Sequence, residues 1–168
     1  MTEDERSNKY WEILTNHLRK ATPVEQVHFA RWTNYSDKDI LRWIINRPET
    51  DVVAAMTIYF QSSPDYYAGI SLEDIDSHDI DEIRFLETIS DRVKQGFYTD
   101  SNISFKGSDF LDNNYDFKNS KREIPHHMQI ERIGSIDIPY DLPENFDEGL
   151  PNLVSEEVWE LFNTTISE

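Results

Sequence analysis

Histidines and carboxylates are the side chains with the most chemistry to offer here, because the 168-residue chain contains no cysteine. Disulfides, thiol nucleophiles and cysteine-ligated zinc are therefore excluded. The five histidines, His17, His28, His78, His126 and His127, invite a metal, but no H-E-x-x-H or two-histidine, one-carboxylate spacing occurs. Adjacent His126 and His127 diverge by about 100° on a helix, or point to opposite faces of a strand. Asp112, Asn114, Asp116 and Glu123 fit positions 1, 3, 5 and 12 of an EF-hand calcium loop, with Ser120 at position 9. Position 6, where the turn needs glycine, is Phe117, and Lys118, Lys121 and Arg122 place positive charge where a dication would sit. An aspartate- and asparagine-rich turn region is the simpler reading. No G-x-S-x-G elbow, Ser/Thr-Lys pair or phosphate-cradling glycine loop is present. No cofactor, metal ligand set or catalytic residue is expected.

Carboxylates remain, and their placement is uneven. Lysine and arginine total 16 against 33 acids, a net charge of −17. Such a surface repels phosphate backbones and anionic membranes, so neither nucleic acid nor membrane is expected as a partner. Residues 65–91 hold nine acids against Arg84 alone, a net of −8. Residues 133–168 hold nine more acids and no base, so the remainder of the chain is neutral. Segregated like charge destabilises the compact state by self-repulsion unless a solvated face or a basic partner offsets it. Four tryptophans, at 11, 32, 43 and 159, read as packing residues, with Trp43, off the apolar stripe of its helix, a candidate exposed anchor.

The elements that must hold these groups read as mainly helical. From Tyr10 to Lys20 the residues Tyr10, Trp11, Ile13, Leu14 and Leu18 recur at helical spacing. Thr22-Pro23-Val24-Glu25 is a capping box with proline at the first helical position. Ser36-Asp37 opens a helix striped by Ile40, Leu41, Ile44 and Ile45, which Pro48 stops. Thr50 or Asp51 caps Val52–Gln61, apolar nearly all round and therefore central, and Pro64 closes this part. Asp79-Ile80-Asp81-Glu82 is a further capping box, followed by Ile83, Leu86, Ile89 and Val93 before Gly96. Residues 97–120 read as an ordered loop with a short strand at Ile103–Lys106. Residues 124–151, punctuated by four prolines, run extended, with Ile133, Ile136, Ile138, Tyr140, Leu142 and Phe146 packed down. Ser155-Glu156-Glu157 caps a terminal helix that docks through Val158, Trp159, Leu161 and Phe162.

The stretch from Asp39 through Arg42-Trp43-Ile44-Ile45, Pro48, Asp51 and Ala54-Ala55 to Tyr59-Phe60 resembles the signature of a small bacterial family of helical domains described only as a domain of unknown function. In that family a Trp-Ile-Ile-like helix end precedes Pro-x-x-Asp and an alanine-rich helix ending in aromatics. The resemblance runs from the second helix to Tyr67 and brings no catalytic residue with it. It implies an association with loci of toxins and their immunity proteins.

The expected protein is a mainly α, compact single domain over residues 1–168. It comprises about six helices: a helical body at 8–96, an aromatic loop and extended segment at 97–151 packed on it, and a terminal helix at 152–166. A charged start and a longest apolar stretch too short to span a bilayer point to a cytoplasmic location. The expected function is binding, not catalysis: an immunity protein that neutralises a cognate basic toxin, for instance a nuclease, by occlusion. Carboxylates of Glu73, Asp74, Asp76, Asp79, Asp81 and Glu82 would face the partner, with the final acidic segment as a second candidate face. The alternatives are a hydrolase or metal-dependent enzyme using the acidic loop with His78 or His126, and a regulatory helical interaction module.

Overall fold

The computed structural model describes residues 1–35, 37–71, 73–111 and 121–163. Its elements are α1 (Glu3–Leu18), α2 (Pro23–Trp32), α3 (Lys38–Ile45), α4 (Val52–Gln61), α5 (Pro64–Gly69), α6 (Ser77–Gln95), a 3-10 turn (Gly107–Phe110), α7 (His126–Gln129), β1 (Phe146–Asp147), β2 (Leu150–Pro151) and α8 (Asn152–Asn163). Among the described residues eight α-helices thus replace the six expected, the extra two being the short α5 and α7. The fold is mainly α, as the apolar periodicity predicts.

α4 organises the core. Every residue from Val52 to Phe60 is buried, and α2, α3, α5, α6 and the 3-10 turn all pack around it. Ala54 and Ala55 let neighbouring backbones approach closely, and the hydroxyl of Thr57 is satisfied by donating to the Val53 carbonyl at 2.8 Å. On α3 the predicted stripe of Ile40, Leu41, Ile44 and Ile45 is buried as a set. α1 starts well before Tyr10, at a Thr2–Glu5 capping box among charged residues that carry no apolar signal. The Thr22–Glu25 box forms as predicted, whereas the box of α6 sits one turn earlier than predicted, between Asp76 and Asp79. Gly96 ends α6 in the left-handed conformation at φ 67°. Pro64 opens α5 at its first position instead of closing the region, because Ser63 adopts φ 55° and turns the chain.

Asp51 joins three parts of the fold. It is 1% exposed; one carboxylate oxygen accepts from Val53 N at 2.8 Å and caps α4, and the other accepts from Ser101 N at 3.0 Å. Its own N–H donates to Gln26 Oε1 of α2 at 2.7 Å. Around it Val52 N donates to Thr99 O, and Thr99 N reaches Pro48 O and Thr50 O. From there Ile103 and Phe105 enter the core. Instead of the expected strand, they make isolated bridges to Ile136 and Arg132. Phe60, Phe105 and Phe110 form an aromatic cluster over Gly107, where a Cβ would lie 2.3 Å from the Phe60 ring.

The proline-rich stretch crosses the surface of α2. Arg31 donates to the carbonyls of Ile138 and Pro139 at 3.2 and 2.8 Å, and Trp32 packs against Tyr140. Its apolar residues are only partly packed down: Ile133 is 89% and Tyr140 65% exposed, and Ile136 also faces outward, while Ile138, Leu142 and Phe146 are half-buried. β1 and β2 form a hairpin whose turn residues Glu148 and Gly149 both have positive φ, the geometry that matches strand twist. Gly149 lies directly against α2, since a Cβ there would be 2.7 Å from the His28 carbonyl. α8 then packs on α1, burying Leu161. Trp159 turns out to solvent instead of docking, and Trp11 and Trp32 are also exposed.

Removing the Asp51 carboxylate leaves two amides without their acceptor, so Asp51→Ala should lower the unfolding free energy by about 2–4 kcal/mol in urea titration. Asp51→Asn, which keeps one acceptor, should cost less. His28, buried beneath the hairpin beside Phe146, has its pKa lowered by burial and then by Arg31, with Glu25 opposing. His17 is lowered by burial against an opposing field from Glu25. The unfolded chain takes up protons first, so stability should fall as pH drops below 6.5, the ordinary histidine value. Urea midpoints measured from pH 7.5 down to 5 check this, and His28→Leu should flatten part of the slope.

Candidate functional site

The predicted partner-facing carboxylates divide into three kinds. Glu73 and Asp74 are exposed in the turn that leads into α6. Asp76 and Asp79 cap α6 reciprocally: Asp79 N donates to Asp76 Oδ1 at 2.9 Å and Asp76 N to Asp79 Oδ2 at 3.2 Å. Their remaining oxygens add negative charge at the positive end of the helix dipole. Asp81 is exposed and 3.9 Å from Arg84, a contact too loose and solvated to neutralise it. Glu82 does not belong with the others. It is 3% exposed and receives a 2.9 Å hydrogen bond from Lys38 Nζ, which also lies over the Phe85 ring. One helical turn beyond the cap, its position faces the core side of α6, so it fastens α3 to α6 and is not available to a partner.

Near this cluster the acidic field is felt by a neighbouring phenol. Burial, and then the charges of Glu82 and Asp79, push the Tyr67 pKa up. Tyr67 belongs to the wall of a groove of about 400 Å³ between α5, α6 and residues 122–125. Tyr59, Ile83, Leu86 and Ile124 form its apolar floor, and Glu87, Asp91 and Glu123 stand at its rim. Among the described residues these three carboxylates have no ion-pair partner. Arg122, also on the wall, donates to the Tyr67 carbonyl at 2.8 Å. No sequence pattern announces the groove, because its walls come from segments far apart in the chain. Only the spacing of Glu87 and Asp91, four residues apart on one face of α6, hints at a rim.

The second acidic stretch is spread over the extended segment, the hairpin and α8. Asp137, Asp141, Glu144, Glu148, Glu156 and Glu157 are exposed and, among the described residues, outside any ion pair, and Asp147 accepts from the Ser155 hydroxyl at 2.8 Å. Among these acids Trp159 is 67% and Leu153 81% exposed. Glu148 also reaches α1, where burial, Asp37 and then Glu148 push the Tyr10 phenol up to about 12. Trp43 is half-buried between Trp11 and the guanidinium of Arg47, 4.4 Å from its ring, so it is a packing residue and not a free anchor.

His78 and His126 are exposed, and among the described residues no group of three or more histidine and carboxylate side chains could hold a metal ion. Asp112, Asn114 and Asp116 lie outside the described residues, as does Ser36; Glu123 is at the groove rim. Among the described residues a hydroxyl and a histidine meet at Ser90 and His127, whose Nε2 lies 3.1 Å from Ser90 Oγ and 3.0 Å from Ser90 O. A carbonyl only accepts, so Nε2 must carry the hydrogen and cannot take a proton from the hydroxyl. The pair fastens α7 to α6. Among the described residues no helix is long and apolar enough to cross a membrane.

Residues 21–94, from the α2 cap almost to the end of α6, match the model of a family described as domain of unknown function (DUF4274). The match takes in α4 and its helical neighbours and leaves α1, the segment after α6 and α8 outside it. No curated protein and no solved structure matches the chain.

Breaking the Lys38–Glu82 pair tests the reassignment of Glu82. Lys38→Met strands a buried carboxylate and should destabilise the fold by about 2–4 kcal/mol in chemical denaturation, whereas Arg84→Met, at the solvated pair, should change it by less than about 0.5 kcal/mol.

Proposed function

We propose that this chain is an acidic binding protein that neutralises a basic partner by occlusion, most naturally as an immunity protein acting on a cognate bacterial toxin in the cytoplasm. The observation that carries this reading is the exposure of carboxylates on two stretches of chain, residues 65–91 and 133–168, whose only base is Arg84. Arg31, Arg92, Arg122 and Lys38 are half-buried and held as ties, to the extended segment, the Ile45 carbonyl at 2.7 Å, Tyr67 and Glu82, while the exposed Lys9, Arg19, Lys20, Arg42, Lys94, Lys106 and Lys121 lie outside the two acidic stretches. Glu73, Asp74, Asp76 and Asp81 stay exposed on one stretch, and the acids of residues 137–157 stay exposed on the other. A surface so arranged keeps its negative field in solution, where it steers and orients a cationic protein. Rim charge mainly sets association rate and specificity, so affinity needs an apolar anchor. The groove beside α6 and the exposed Trp159 both supply one. Toxin and immunity function is what the resemblance of residues 39–60 implies, and the charge organisation supports it independently.

Stopped-flow titration against the product of the neighbouring gene tests the proposal. The association rate should fall steeply with added salt, and the triple substitution Glu73→Gln, Asp74→Asn, Asp81→Asn should slow it by about threefold to tenfold with little change in dissociation. An association rate indifferent to salt overturns the reading.

A further inference from the structure

We infer that the groove between α5, α6 and residues 122–125 receives a lysine or arginine side chain of the basic partner. Its aliphatic stem would lie on Tyr59, Ile83, Leu86 and Ile124, and its cationic head among Glu87, Asp91 and Glu123. The inference rests on the reading of the chain as a binder of a basic protein and assigns that reading an anchor. At about 400 Å³ the groove falls within the size range of specific ligand sites, large enough for a long side chain and part of its neighbours.

The combination of floor and rim selects the occupant. An apolar side chain would fit the floor but would strip water from three carboxylates and leave them unpaired. An anion would be repelled. A long cationic side chain satisfies both parts, because its methylenes cover apolar surface while its head stays polar. Glu87 and Asp91 stand on the same face of α6 at a spacing where like charges repel, so a cation between them relieves a strain already present in the free protein. Among the described residues no lysine or arginine forms an ion pair with Glu87, Asp91 or Glu123. Arg122 is held on the Tyr67 carbonyl, Arg84 lies beside Asp81, and Arg92 is directed to Ile45 and the Phe97 ring. The groove also adjoins the charge cluster that would steer the partner in, since Tyr67 lines the one and feels the field of the other.

The test uses the full chain with labelled isoleucine and leucine methyls and three synthetic peptides. One alternates leucine with lysine, the second carries norleucine in place of lysine, and the third carries glutamate. The lysine peptide should shift the methyl signals of Ile83, Leu86 and Ile124. The triple variant Glu87→Gln, Asp91→Asn, Glu123→Gln should weaken its binding by about tenfold, a loss in line with removing charged partners from a cation. The norleucine and glutamate peptides should leave those signals in place at the same concentration. Glu123→Gln alone, outside any helix, provides a variant that leaves α6 untouched, and melting temperatures record that the fold is kept. Equal binding of the norleucine peptide, an unaffected triple variant, or no methyl shift with the lysine peptide each overturns the groove assignment. A lysine peptide that loses affinity only with the Glu73, Asp74 and Asp81 substitutions overturns the groove and leaves the binding function standing. Failure of the binding function itself appears separately, as salt indifference toward the protein partner.

Discussion

A single buried carboxylate holds the architecture together. Asp51 satisfies the first turn of the most apolar helix, accepts from the backbone fifty residues downstream at Ser101, and through its own amide engages Gln26 on the preceding helix pair. A helix apolar on nearly every side has no preferred way to face, so its orientation has to be set from its ends. The ties at Asp51 set it from the N-terminal end, and they also fix where the chain returns after α6, with Thr99 closing on Pro48, Thr50 and Val52. The placement of α6 relative to α5, and with it the groove between them, depends on that return.

Much of the helical body is legible in the sequence because its signals are local. A hydroxyl before Pro23 with a glutamate three residues on, an aspartate before Val52, and a glycine after the last periodic residue of α6 each specify a helix end through contacts within one turn. Where the reading of the sequence departs from the structure, the deciding contact is distant. Glu82 looks like one more member of an acidic run until Lys38, 44 residues earlier, is found beside it. Trp159 has the spacing of a docking residue, but α1 takes Leu161 and leaves the indole outside. Residues 103–105 have strand composition yet find only isolated bridge partners, because the bridge of Ile103 to Ile136 is parallel and that of Phe105 to Arg132 antiparallel, so no continuous ladder forms. The groove is the extreme case, assembled from α4, α5, α6 and the approach to α7, with no segment long enough to reveal it.

The distribution of charge follows from what each side chain can do when partly buried. Guanidinium groups are weakly hydrated and present several directed donors, so they can enter the body and bind stray carbonyl oxygens where segments lack regular pairing. Arg31 and Arg122 do this between a helix and irregular chain, and Arg92 between α6 and the end of α3. Among the described residues only two carboxylates are buried, Asp51 at a helix start and Glu82 beside Lys38. The outward negative field is thus partly a by-product of how the irregular third of the molecule is attached, and a basic partner would exploit an asymmetry the fold already requires.

The burial of α4 from both directions along the chain has a consequence during synthesis. α2 and α3 precede it, but α6 and the Thr99–Phe105 return follow it, so a nine-residue run of buried side chains, Val52 to Phe60, leaves the ribosome well before half of its cover exists. In that interval the nascent protein presents its most adhesive surface to the cell. The aspartates and glutamates emerging immediately behind it, from Asp65 to Asp91, keep neighbouring nascent chains apart by mutual repulsion.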